Sequence, residues 1–267
     1  MNIKSSIYCY LFNIIKYDFD YINTMDNFCS FADEVICVTI PTEDGSHRLL
    51  KELEPKFSNL KIYESKVSLD NNRFDGLLKT EALERTTNPI KIIADGDEWF
   101  PLSNKPKWDY LAEELLKSQS IDGFFVPVID CFGAKDKIRA NTSIGVKMRM
   151  HKDTVVRRGV LPRAELHNNL INTELSDTTE PLLRNNHLAN FAHIINPMYL
   201  APMFVDDLKN IAHCFHFGFL SLERRVRINN EFWEKAWKDR SGKENNTIRD
   251  KNILENTTTI HHNLLLE

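Results

Sequence analysis

The sequence lacks any C-x-x-C pair. Its five cysteines, Cys9, Cys29, Cys37, Cys131 and Cys214, are scattered and odd in number. That pattern excludes a disulfide frame and a zinc knuckle, and it reads as reduced thiols in a cytoplasmic protein. A long apolar run is also missing. The opening stretch "MNIKSSIYCYLFNIIKYDFDY" is broken by Tyr, Asn and Lys, and no small-residue cleavage site follows it. Neither a transmembrane segment nor a secretory leader is expected from it. Positive charge is not in excess: the formal net charge is −4. General electrostatic attachment to nucleic acid is therefore not expected, although a local basic site is still possible. No internal repeat, low-complexity linker or clear boundary divides the chain, so a single domain is the simplest reading.

What is present is ordinary for a globular chain. The 267 residues are 42% hydrophobic and 27% charged, enough for a sizeable core. The first half alternates two kinds of segment. "SSIYCYLF" (5–12), "EVICVTI" (34–40), "LKIYES" (60–65) and "IKIIAD" (90–95) read as strands; residues 20–32, 47–57 and 74–86 have helical spacing. Repeated strand–helix–strand units imply a mostly parallel central sheet with helices on both faces, an α/β fold. The strands lack strict alternation, as expected when both faces are covered. Further on, 107–119 reads as a helix, 123–133 and 145–152 as strands, and "HFGFLSLERRVRI" and "NEFWEKAWKDR" as two helices. This mixed second half ends near residue 240, before a polar tail over 241–267. The expected division of the domain is 1–105 and 106–240.

The stretch "IKIIADGDEWFP" (90–101) concentrates acid at one strand end: Asp95, Asp97 and Glu98. Ligands of open parallel sheets sit at the carboxyl ends of strands. Two carboxylates separated only by Gly96 can turn toward one cation, and hard divalent ions such as Mg²⁺ or Mn²⁺ take carboxylate oxygens together with substrate phosphates. The alternative is a solvated acidic turn that simply ends a strand.

At this point the chain resembles the family-two glycosyltransferases of the GT-A fold. The resemblance is carried by "FADEVICVTIPTEDGSHRLLKEL", by "GLLKTEALERTTNPIKIIADGDEWF" with its Asp-x-Asp segment, by "GVKMRMHK" and by "IAHCFHFGF". It implies a metal-dependent enzyme that transfers a sugar from a nucleotide-diphospho-sugar, UDP-sugar favoured, with inversion. The acceptor implied is a hydroxyl of a glycan: a polysaccharide, a lipopolysaccharide or a glycoprotein glycan. Mn²⁺ or Mg²⁺ is the implied cofactor. The resemblance makes Asp97 the metal ligand and Asp95 a contact to the ribose or the metal shell. Asp44 falls in the loop lining the nucleotide pocket, and Lys79 at a position facing the diphosphate. The usual acid after the second strand is replaced by Thr39–Pro41.

His213 and His216 are the candidates to complete the metal shell, read as lying on one side of an extended segment, with Gly218 allowing close approach. The general base implied by the resemblance is Glu165 in "LPRAELHNN", with Asp130 and Glu98 as alternatives. Trp99 and Phe100 are candidates to stack on a sugar ring, and the basic run 147–163 to face a phosphate. Two other classes stay open. A sugar nucleotidyltransferase would carry a Gly-rich loop after the first strand, which "CYLFNIIKYD" lacks. A non-catalytic glycan-binding relative would not need an intact Asp95–Asp97 pair.

Overall fold

The structure is a computed structural model, and it describes residues 3–71, 74–119, 121, 123–139, 145–152, 191–193, 208, 210–233 and 259–261. The expected α/β arrangement is present. Strands β1 (Ser5–Leu11), β2 (Glu34–Thr39), β3 (Leu60–Glu64) and β4 (Ile90–Ile93) alternate with helices α1 (Tyr21–Phe31), α2 (Ser46–Lys51) and α3 (Phe74–Leu83). These four strands pair in parallel, in the order β3-β2-β1-β4.

The reason lies in β1. Its odd positions Ile7, Cys9 and Leu11 join a core with Met25, Phe28 and Phe31 of α1. Tyr8 faces the other way, into a second core with Phe74, Leu78 and Ala82 of α3. Successive residues of a strand point to opposite faces, so a strand covered on both sides must be apolar throughout. Each fully buried large side chain contributes roughly 1.5–3 kcal/mol.

The second half is mixed, as expected. After β5 (Glu98–Trp99) and α4 (Lys105–Lys117) come β6 (Gly123–Phe132), β7 (Lys137–Arg139) and β8 (Gly145–Lys152). Strand β8 lies antiparallel between β4 and β6. Strands β9 (Phe191–His193) and β10 (Cys214–Phe219) run parallel to β6, and β10 also pairs antiparallel with β5.

Three boundaries depart from expectation. The segment expected as one helix over 216–228 begins as β10, and helix α5 covers only Leu222–Ile228. The cause is local: "CFHFGF" favours a strand, and Ser221 then caps the helix, its Oγ accepting from Arg224 N at 3.2 Å. The expected helix 47–57 stops at Lys51 and resumes as a 3₁₀ turn over Glu54–Lys56 around Pro55, which cannot continue a helix. Part of the polar tail joins the sheet, since β11 (Thr259–His261) pairs antiparallel with β7. Among the described residues no helix is long and apolar enough to cross a membrane.

Candidate functional site

The acidic turn leaves the sheet at the carboxyl end of β4. It packs tightly on the end of β1: a Cβ on Gly96 would lie 2.1 Å from Leu11 Cδ2. A larger residue there would have to displace the Leu11 side chain, so glycine allows the turn to lie close on the sheet. The turn then enters β5, where Glu98 stands opposite His216 of β10. Phe217 N donates to Asp97 O at 2.7 Å. This short antiparallel contact brings together two segments more than 110 residues apart in sequence.

The carboxylates of the turn have different surroundings. Asp95 is buried and ion-paired with Lys79 through Oδ1. Its Oδ2 accepts from Arg149 Nη2 at 2.9 Å. The same Nη2 donates to Glu98, and the Asp95 backbone N donates to Glu98 Oε2 at 3.0 Å. Lys79 and Arg149 are 1% and 0% exposed. Lys147 Nζ stands 3.9 Å from Asp95 Oδ2 and 3.8 Å from Glu98 Oε1, but 28% of its side chain remains exposed. Burial alone would make the Arg149 guanidinium easier to deprotonate; the charges of Glu98 and Asp95 outweigh it and lock the cation in place.

Asp97 points elsewhere. Its Oδ2 lies 3.2 Å from His216 Nε2, and His216 Nδ1 lies 2.6 Å from Asp130 Oδ1 at the end of β6. Burial opposes charge on all three groups. For Asp97, the attraction and hydrogen bond of the imidazolium win, and its carboxyl is held well below the usual carboxylate range. Asp130 is lowered by the same ring. His216 is correspondingly pushed up from 6.5 to about 9, the Asp97 charge and the Asp130 hydrogen bond overcoming desolvation.

Several expectations are revised by these positions. Lys79 does not face outward from its helix; it lies beneath Asp95, near the Tyr10 ring at 5.8 Å. Asp95 is enclosed by cations and does not share a ligand position with Asp97. His213 and His216 do not lie on one side. A separation of three residues places them on opposite sides of an extended chain. His213 sits against the start of helix α4, its backbone N donating to Asn104 Oδ1 at 3.0 Å and its backbone O accepting from Trp108 Nε1 at 3.3 Å. Glu98, an alternative general base, is sealed under Arg149. Phe100 is a core residue packed with Phe28, Phe31 and Trp108, whereas Trp99 is half-buried beside Phe217. Glu165 lies outside the described residues.

Asp44 holds two loops together at the same edge of the sheet. It accepts from Thr42 Oγ1 at 2.6 Å, from Ser46 Oγ at 2.6 Å and from Lys16 N at 3.0 Å. Partial burial raises its carboxyl, but these donors bring it down to about 2.

Sequence reasoning did not find Arg149 as the partner of Asp95. The signal was present in "VKMRMHK": alternation places Lys147, Arg149 and His151 on one face of a strand. All three find polar partners, His151 Nε2 lying 2.9 Å from the Tyr8 hydroxyl.

Among the described residues, Asp97 and His216 are of the right kind to hold a divalent cation. Among the described residues no group of three or more His, Cys, Asp or Glu side chains converges. Asp97 and His216 nevertheless offer a carboxylate oxygen and a ring nitrogen side by side, which suits an ion that completes its shell with substrate oxygens and water. Gly218 keeps that edge open, because a Cβ there would stand 2.6 Å from His216 Nε2 and 2.9 Å from Asp97 Oδ2.

No protein-family model matches the chain, and no curated protein matches it. Solved structures do resemble it. The S. aureus TarS 1–349 structure in complex with UDP is 12% identical, with TM-score 0.49, over 94% of this chain and 70% of that one. The mannosyltransferase PcManGT from Pyrobaculum calidifontis, in complex with GDP-Man and Mn²⁺, is 12% identical, with TM-score 0.44, over 95% and 70%. The 4-diphosphocytidyl-2C-methyl-D-erythritol synthase from Anaerococcus prevotii is 14% identical, with TM-score 0.38, over 77% and 92%. Likeness at this level concerns the course of the chain, and the roles of individual residues rest on the geometry above.

Proposed function

We propose that this chain is a cytoplasmic glycosyltransferase that uses a nucleotide-diphospho-sugar, with Mn²⁺ or Mg²⁺ held at Asp97 and His216. The observation that carries the reading is the meeting of Asp97 Oδ2 with His216 Nε2, 3.2 Å apart, at the carboxyl edge of a parallel sheet. A nucleotidyltransferase would carry a Gly-rich loop after the first strand, which "CYLFNIIKYD" lacks, and a glycan-binding relative would not need Asp97 beside His216.

Bound there, the ion supplies charge to stabilise the departing diphosphate. The chain's own residues do the rest. Asp97 and His216 would hold the ion. Of the three cations around Asp95 and Glu98, Lys147 is the one a substrate phosphate can reach, because Lys79 and Arg149 are buried. Asp44 stiffens the loops after β1 and β2, where the nucleotide would lie. UDP is the favoured nucleotide, a glycan hydroxyl the acceptor, Glu165 the residue proposed to take its proton, and inversion the expected outcome.

Calorimetry of UDP binding with and without Mn²⁺ tests the reading. Asp97→Ala should lose the metal-dependent part of the affinity, at least about 100-fold, a loss of about 2.7 kcal/mol. Unchanged affinity in that variant would remove the metal from Asp97. A thermal-shift screen of UDP-, GDP-, CMP- and dTDP-sugars then identifies the donor, because a ligand of the native state raises stability by mass action.

A further inference from the structure

One carboxylate at the site is left without a role by this reading. Asp130 lies near the end of β6, in parallel register with His216 of β10. Its Oδ1 lies 2.6 Å from His216 Nδ1, on the ring edge opposite Asp97. The imidazole is 8% exposed and stands edge-on to Phe219, centroids 5.7 Å apart at 88°. Phe219 is itself stacked on Phe132 at 4.9 Å. The ring is thus gripped on one edge and one face, while Gly218 leaves the Nε2 edge uncovered.

We infer that Asp130 is a positioning residue: it holds the proton on His216 Nδ1 and so presents the Nε2 lone pair, beside Asp97, to a divalent cation. A neutral imidazole has one lone pair to give, and the hydrogen bond made by the other nitrogen decides which one. With Oδ1 committed to Nδ1, Asp130 acts on the ligand through His216 and not as the base for an acceptor hydroxyl. The inference rests on the metal site proposed above, and the test separates the two. The Asp130 side chain is 46% exposed, so its removal leaves no sealed void.

The test uses the full chain, stripped of metal and titrated with Mn²⁺ in the presence of UDP. Affinity is read by calorimetry, and coordination by the ¹⁴N coupling of Mn²⁺-bound imidazole in pulsed EPR. Asp130→Ala should weaken Mn²⁺ about 10- to 100-fold, as loss of a ligand's outer partner does, and should reduce the ¹⁴N coupling. Asp130→Asn keeps an acceptor oxygen without the charge and should recover most of the affinity. Equal losses in the Asn and Ala variants would mean that charge and not the hydrogen bond matters, and would overturn the assignment. So would Asp130→Ala binding within about twofold of wild type while His216→Ala binds poorly; the metal site would then stand without Asp130. If Asp97→Ala and His216→Ala also bind like wild type, the metal site itself falls. Should Asp130→Ala not fold, Asp130→Ser is judged by the same criteria.

Discussion

Asp95 and Asp97 are two residues apart, yet they belong to two different regions of the molecule. Around Asp95 the structure is closed: Lys79 and Arg149 are sealed against it, and Glu98 completes the group. Around Asp97 it is open on one edge, with His216 alongside, Asp130 behind the ring and Gly218 leaving room. The comparison teaches that a short acidic motif can divide its work. One carboxylate anchors the turn to β8 and α3 through buried charge, and the other is left to meet a ligand. A buried ion pair adds little net stability over an apolar pair, but it penalises heavily any arrangement that leaves one charge alone. It therefore suits a turn that must hold one geometry.

Four substitutions or conditions set the two regions against each other. The largest effect is expected from Arg149→Met, which takes the close cation from buried Glu98 and one of the two from buried Asp95. It should cost about 3–5 kcal/mol, read as a lower urea midpoint, whereas Asp97→Ala, which removes only its pairing with His216, should lower that midpoint less. If both variants lose stability equally, the division between the regions is wrong.

Next is pH. The His216 value is raised, so its contribution is complete below about 6.5 and is lost as pH rises through about 9. The Asp97 and Asp130 values are depressed, so their contribution is present above the ordinary carboxylate range and is lost as pH falls below it. Metal-free protein should accordingly lose about 2 kcal/mol between neutral and strongly alkaline pH through His216. Denaturant titrations of wild type and His216→Gln should differ by that slope. Arg149 itself adds no slope at alkaline pH, because its guanidinium stays charged.

Gly218→Ala acts on the open region alone. Its Cβ would press on His216 Nε2, and Mn²⁺ affinity should fall about tenfold, or 1.4 kcal/mol, with the fold intact by circular dichroism. The smallest effect belongs to Lys147→Ala, which removes the partly exposed cation shared by both regions. UDP affinity should fall only about threefold, or roughly 0.6 kcal/mol for a solvent-screened charge, and the loss should shrink at high salt. A loss as large as that of Asp97→Ala would place Lys147 with the open region around Asp97.

Much of the frame was legible along the chain. Strands β1 to β4 and helices α1, α3 and α4 follow from apolar runs and helical spacing, and Asp95–Asp97 was recognisable as a strand-end acid cluster. What failed depended on partners distant in sequence. His213 was grouped with His216 by proximity, although a spacing of three sends their side chains to opposite sides. Lys79 looked like a surface lysine or a phosphate contact because nothing nearby announces that Asp95 covers it. The "CFHFGF" segment was merged with the helix that follows, although its phenylalanines and Ser221 already marked a strand and a cap.

The sequence by itself determined the element types, the two-sided burial of the central strands and the position of acid at the carboxyl edge, because periodicity, capping and turn chemistry act within a few residues. Tertiary structure alone decided which acid is enclosed by cations and which stands at the open edge beside His216. Arg149 reaches Asp95 across 54 residues, and His216 reaches Asp130 across 86. Those meetings are set by strand register in the sheet, where a shift of one residue would turn each side chain to the opposite face.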